Sequence, residues 1–358
     1  MKGKIKFNFK VGKRNYNFVL TRNITIIHDK SATGKTSLIR DLHLYKRQAV
    51  SLRSSKRFSL ESDGYKVELL DDERWEDVSN RYEVYKDTIF VIDEYSTFIT
   101  LNEFSEFVAK TGSYFIIITR RPLSNLAYSV NSVFTLGFDK DTGVYSFVPR
   151  YMDECSDLSK GFYIGDIETL NPDLIIVEDS NSGFQFFKSL GYPCLSACGN
   201  TNVKNSIESN LNYNLLVIAD GAAFGCSMYD IFETYKDSNI HLYLPESFEY
   251  LLLNSKIFTS NELTDKLKHT YNYVEYLEHI SWERYYTHLI LELSENTAMS
   301  YTKKHLNLRY LKEKNVCKIL HENNLCKLCS KFDICDNKVY ISNDVSKVKP
   351  LELVKPNS

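Results

Sequence analysis

The sequence predicts an α/β chain in which two parallel sheets form one after the other and a helical region follows them. Three observations predict it. Short continuous apolar runs at Thr88–Ile92 and Tyr114–Thr119 have the composition of strands buried on both faces of a parallel sheet, and Leu174–Val177 and 215–219 read as further strands. Stretches of helical periodicity separate such runs, and a β-α-β-α-β-α-β order with short connections over residues 174–244 calls for right-handed crossovers. From about residue 255 the pattern changes to a long helical period.

A chain of 358 residues suits two domains and an appendage. The expected divisions are a first sheet domain over 1–150, a second sheet over 165–255, a helical, basic, cysteine-bearing region over 256–340 and a tail over 341–358. A hydrophobic fraction of 43% with 25% charged residues excludes a disordered, collagen-like or coiled-coil chain. With 44 Lys and Arg against 46 Asp and Glu, the net charge is −2, so any nucleic-acid surface must come from local segregation of charge. No apolar run approaches the ~18 residues of a membrane span, since even 214–223 is interrupted by Asp220. The opening Met-Lys-Gly-Lys-Ile-Lys has no apolar core of a signal peptide, so the chain is expected to be cytoplasmic with no membrane partner. Its eight cysteines are then expected as thiols or metal ligands rather than disulfides.

In order along the chain, residues 4–10 and Arg14–Leu20 alternate as a hairpin does, and 23–28 reads as a compact strand. Asp29-Lys30-Ser31-Ala32-Thr33-Gly34-Lys35-Thr36-Ser37 follows, and a helix begins near Lys35. A bent loop between strand and helix turns successive N–H groups inward around phosphate oxygens, and the helix N-terminus adds a favourable dipole. Lys35 is expected to reach the β- and γ-phosphates of ATP, and the Thr36 hydroxyl to ligate Mg²⁺. Asp29 stands where the phosphate-loop pattern G-x-x-x-x-G-K-[ST] has its first glycine. At the end of the next strand, Asp93 is placed to hold the magnesium shell and Glu94 to orient or deprotonate the attacking water. Thr119 ends a neighbouring strand, where it can sense the γ-phosphate, and Arg120 or Arg121 can stabilise transferred charge or contact a partner.

On these residues the N-terminal half resembles a P-loop NTPase with Walker A and Walker B motifs, and loosely the ABC-type ATPases of DNA-maintenance and phage-defence proteins. It lacks an L-S-G-G signature and a glutamine loop, and the 51 residues between Thr36 and Thr88 leave little room for the usual helical insertion.

In the second cycle, Leu174–Val177 runs into Glu178 and Asp179, and 215–219 runs into Asp220. Carboxylates at the carboxyl ends of adjacent parallel strands converge on one rim, as a Mg²⁺ site requires. Over about residues 172–245 the arrangement resembles a TOPRIM domain, the module of topoisomerases, primases and OLD-family nucleases. Glu178 matches the family's glutamate, Asp220 its first aspartate and Gly225 its glycine, whereas Ala222 stands where a second aspartate belongs. The resemblance implies catalytic and metal-binding roles for Glu178 and Asp220, with cleavage weakened or lost for want of that aspartate. It also implies action on DNA or another nucleic acid, in phage defence or a mobile element, and assembly as a homo-oligomer or with a partner protein. A nucleotide-dependent switch without nuclease activity is the alternative.

Cys317, Cys326, Cys329 and Cys335 are spaced C-x8-C-x2-C-x5-C. They admit a zinc site, an iron–sulfur cluster or unligated thiols, with His321 a spare ligand. Between Tyr301 and Tyr340, nine Lys and Arg against four acids give +5, which suits contact with a phosphate backbone or a solvated helix face.

Overall fold

Two sheets order the molecule, and the placement of the candidate residues follows from how their strands are joined. The computed structural model describes residues 3–28, 33–48, 57–70, 75–79, 87–151, 162–164, 170–235 and 239–331. The alternation at the N-terminus makes a hairpin of β1 (Ile5–Val11) and β2 (Arg14–Leu20), in register from Ile5↔Leu20 to Val11↔Arg14. Fully buried β3 (Ile24–His28) leads to α1 (Lys35–Arg47). Next come β4 (Phe58–Glu61), β5 (Lys66–Leu70), α2 (Trp75–Ser79), β6 (Thr88–Ile92), α3 (Asn102–Thr111), β7 (Tyr114–Thr119), β8 (Val133–Asp139) and β9 (Val144–Pro149).

Among the described residues these strands form one mixed sheet in the order β4-β1-β2-β9-β8-β3-β7-β6-β5. Its centre, β8-β3-β7-β6-β5, is parallel, and on one side the antiparallel pairs β8–β9 and β2–β1–β4, joined by a parallel β9–β2 pair, extend it. The runs read as buried strands, β3, β6 and β7, fill that centre. The flank is larger than the sequence suggested, because β4 and β9 join it.

The second sheet has the order β10-β14-β13-β11-β12. Its elements are β10 (Phe162–Ile164), β11 (Leu174–Val177), α4 (Ser182–Lys188), β12 (Cys194–Ser196), α5 (Asn200–Glu208), β13 (Leu215–Ile218), α6 (Gly225–Tyr235) and β14 (Ile240–Leu244). All neighbours run parallel except the edge strand β10. The described chain continues with α7 (Phe248–Asn254), α8 (Asn261–Lys268), α9 (Tyr276–His279), α10 (Trp282–Ser294), α11 (Glu313–Glu322) and a 3₁₀ turn at Cys326–Lys331. These helices are shorter than the long period suggested. Ile280 breaks one run at φ +64°, an unusual backbone for a β-branched residue, and the Ser281 hydroxyl restarts it by accepting the Arg284 N–H at 3.3 Å.

Three cores hold the layers. One face of the large sheet (Ile27, Val91, Ile116) packs on Leu38 and Leu42 of α1 and on the hairpin's Phe7 and Phe18. Its other face (Ile26, Phe90, Ile117) shares a core with Val217 and Leu242 of the second sheet and Met228 of α6. The opposite face of the second sheet (Ile175, Leu216) packs on Leu252, Ile290 and Leu320 of the C-terminal helices. The sheets are thus welded through one continuous core. No helix among the described residues is long and apolar enough to cross a membrane.

Candidate functional site

The chain leaves the buried centre of the large sheet at His28 and enters α1 at Lys35. Asp29, Lys30, Ser31 and Ala32 lie outside the described residues. Gly34 takes φ +101°, and a Cβ there would come 2.9 Å from the Tyr145 ring, so backbone conformation and space both require glycine. Lys35 is buried and its Nζ donates to Thr33 Oγ1 at 3.1 Å, while Thr36 is exposed one residue further on. Thr33, Gly34, Lys35, Thr36 and Ser37 line a cavity of about 560 Å³ together with Arg120, Phe138 and Tyr145.

The helix that carries this loop end is braced from beneath. Asp41, fully buried on α1, accepts from Arg14 Nε at 2.5 Å, Arg14 Nη2 at 2.6 Å and the Tyr16 hydroxyl at 2.8 Å. Burial, and then the hydrogen bond to Asp41, push the Tyr16 phenol well above its ordinary value, so it serves as a neutral donor.

Strand β7 separates β3 from β6. Pairings His28↔Thr119 and Ile92↔Ile117 align the three strand ends on one edge, with Asp93 and Glu94 about two strand spacings, roughly 10 Å, from β3. Asp93 Oδ1 accepts the Glu94 N–H at 2.8 Å. The Glu94 carboxylate is gripped by Arg120 in a two-pronged pair, Nε to Oε2 at 2.6 Å and Nη2 to Oε1 at 2.9 Å. The buried Thr119 hydroxyl accepts the Arg121 N–H at 3.1 Å and donates to the Arg121 carbonyl at 2.8 Å. It closes a turn in this state, so the γ-phosphate contact expected of it needs that turn to open.

On the second sheet, Val177↔Ile218 pairing sets Glu178 and Asp220 side by side at the ends of β11 and β13. Glu178 Oε2 accepts the Asp220 backbone N–H at 2.8 Å. Asp179 faces the first turn of α4, where Oδ1 accepts the Phe184 N–H at 2.7 Å and Oδ2 the Gly183 N–H at 3.3 Å. Burial pushes the Glu178 carboxyl up to about 7. Glu283 and Asp179 push the same way, while the Asp220 N–H and Lys303 oppose. Burial, then the charges of Glu178, Glu283 and Glu249, hold Asp220 well above the usual carboxylate range. Gly221 and Gly225 are fixed by space: a Cβ at 221 would lie 2.7 Å from the Leu244 carbonyl, and one at 225 would lie 2.4 Å from the Tyr128 ring. Ala222, where a second aspartate was expected to be missing, is buried.

The cysteines show no common centre among the described residues. Cys317 is half-buried on α11, Cys326 is exposed and Cys329 is buried in the C-terminal core, while Cys335 lies outside the described residues. Nowhere among the described residues do three His, Cys, Asp or Glu side chains gather as metal ligands, at the cysteines or at Glu178 and Asp220.

Several residues escaped sequence reasoning. Phe138 and Tyr145 carry a signal in retrospect, since the turn-forming Asp139-Lys140-Asp141-Thr142-Gly143 between two runs rich in aromatic and β-branched residues marks a hairpin. Glu249, Glu283 and Lys303 carry none, because only the tertiary fold brings them to the second sheet's rim. No family model, curated protein or solved structure matches the chain.

Proposed function

We propose that the chain is a P-loop ATPase whose second, TOPRIM-like sheet and basic C-terminal region act on nucleic acid or are regulated by it. The observation that carries the reading is the shared edge of the large sheet. A strand–loop–helix with buried Lys35 and left-handed Gly34 opens onto a cavity, and Asp93 and Glu94 end a strand on the same edge. Lys35 and the first N–H groups of α1 would take the β- and γ-phosphates. Mg²⁺ bound at Thr36, with Asp93 behind it, would supply charge neutralisation between those phosphates. Glu94 would accept the proton of the water that attacks the γ-phosphorus as the ADP oxygen leaves.

Arg120 favours a second reading alongside this one. Its two-pronged grip occupies both oxygens of Glu94, so the base is withheld until the arginine moves. A protein resting in that state behaves as a slow, nucleotide-dependent switch or assembly protein. Replacing Glu94 tests the catalytic assignment: Glu94→Gln should keep ATP affinity within about twofold and lower turnover by about 10²-fold or more. Turnover unchanged in Glu94→Gln would reject Glu94 as the base. Intact ATP binding with negligible turnover in both the wild type and Arg120→Ala would favour the switch.

A further inference from the structure

The rim of the second sheet offers a divalent metal fewer free oxygens than its sequence implies. Glu178 Oε2 is engaged by the Asp220 N–H, both oxygens of Asp179 are engaged by α4, and position 222 offers only a methyl group. The chain itself supplies a cation, Lys303, paired with Glu283, and both charges act on the rim carboxyls. Residues 301–306 lie as a strap over the first turns of α4. The Tyr301 hydroxyl lies 2.8 Å from Ser182 Oγ and donates to Glu249 Oε1 at 2.7 Å. The Ser182 N–H donates to the Lys303 carbonyl at 3.1 Å. Gln185 holds the strap twice, donating from Nε2 to the Lys304 carbonyl at 2.7 Å and accepting the Leu306 N–H at 2.9 Å. So anchored, the strap delivers the Lys303 ammonium to Glu283 Oε1 at 2.7 Å.

We propose that Lys303 is the resident counter-cation of the Glu178–Asp179–Asp220 rim, filling the electrostatic role of a divalent ion and excluding one. The strap is anchored by the side chains of Ser182, Gln185 and Glu249 and by the Ser182 N–H, so Lys303 is positioned by the fold. Its charge reaches the whole cluster: it draws Glu178, Asp179 and Asp220 toward their ionised forms against burial. Burial opposes the ammonium's own charge, but the Glu283 hydrogen bond and the charges of Glu249, Glu283 and Asp220 outweigh it and hold Lys303 cationic. A second cation entering this cluster must displace the ammonium or be repelled by it. This inference concerns the second sheet alone and does not rest on nucleotide binding at the first.

Binding of Mn²⁺ alone to the nucleotide-free full chain, followed by the electron paramagnetic resonance of unbound Mn²⁺, tests the proposal. Lys303→Met should expose a site that binds Mn²⁺ at least about tenfold more tightly than any rim site of the wild type, as removing one adjacent charge implies. Lys303→Gln should do the same, and Lys303→Arg should behave as wild type. Adding Glu178→Gln to Lys303→Met should abolish the new site. The proposal is overturned if wild type and Lys303→Met bind Mn²⁺ equally, whether tightly or not at all. It is also overturned if the new site survives Glu178→Gln. Circular dichroism of each variant confirms that it is folded. Should Lys303→Met fail to fold, the Lys303→Gln titration decides by the same criteria.

Discussion

Replacing Asp41 with alanine probes how the phosphate-loop helix is fixed to the sheet. Asp41 is wholly buried and receives three hydrogen bonds, two from Arg14 and one from the Tyr16 hydroxyl. Truncation leaves the fully buried Tyr16 hydroxyl without that acceptor, which costs about 1–3 kcal/mol. Removing one partner of a buried ion pair costs about 3–5 kcal/mol, but the Arg14 side chain is 38% exposed and can turn to water, so only a fraction of that applies. The sum is a loss of about 3 kcal/mol, to be read from urea unfolding as a lower midpoint at unchanged slope. Asp41→Asn, which keeps one acceptor, should lose roughly half as much. Because Asp41 lies on α1 below Lys35, ATP affinity should fall in the folded Asp41→Ala protein as well. A loss below about 1 kcal/mol would refute the idea that this network braces the loop.

Two other predictions concern the second sheet. Glu178, held at about 7 against an ordinary 4.5, takes up a proton in the folded state that the unfolded chain has released. Its contribution to stability is therefore complete below about pH 4.5 and lost as pH rises through about 7, and Glu178→Gln should flatten that stretch of the unfolding profile. Parallel profiles for wild type and variant would contradict the assignment. Gly225→Ala forces a methyl group against the Tyr128 ring and into the Tyr128 carbonyl at 2.7 Å, so thermal unfolding should show a loss of about 2 kcal/mol.

The fold was legible where burial is two-sided. The unbroken apolar runs of β3, β6, β7, β11 and β13 need no partner to be read, and strand polarity alone put Glu178 beside Asp220. β8 and β9 were harder, since half-exposed strands such as Val144–Pro149 lack both the unbroken run and a clean alternation. The helical region was misjudged in length because helix breaks there fall at Ile280 and Asn296, residues that carry no glycine or proline signal but adopt positive φ. At the candidate sites, side chains drawn from one strand end were legible, as with Asp93 and Glu94. Their arginine and lysine partners were less so. Arg120 sits beside a predicted strand end, but its choice of Glu94 over a phosphate is a matter of geometry. Lys303 is 125 residues from Glu178 in sequence, and nothing local marks it as that carboxylate's neighbour.

Calorimetric titration of ATP with Mg²⁺ into the wild type and into Lys35→Ala tests the central claim most directly. The wild type should bind one ATP per chain. Lys35→Ala should bind at least about tenfold more weakly, because a charge-assisted contact to phosphate is worth about 1.5–3 kcal/mol. Equal affinity in the two proteins, or a wild type that binds no ATP, would contradict the phosphate-loop account.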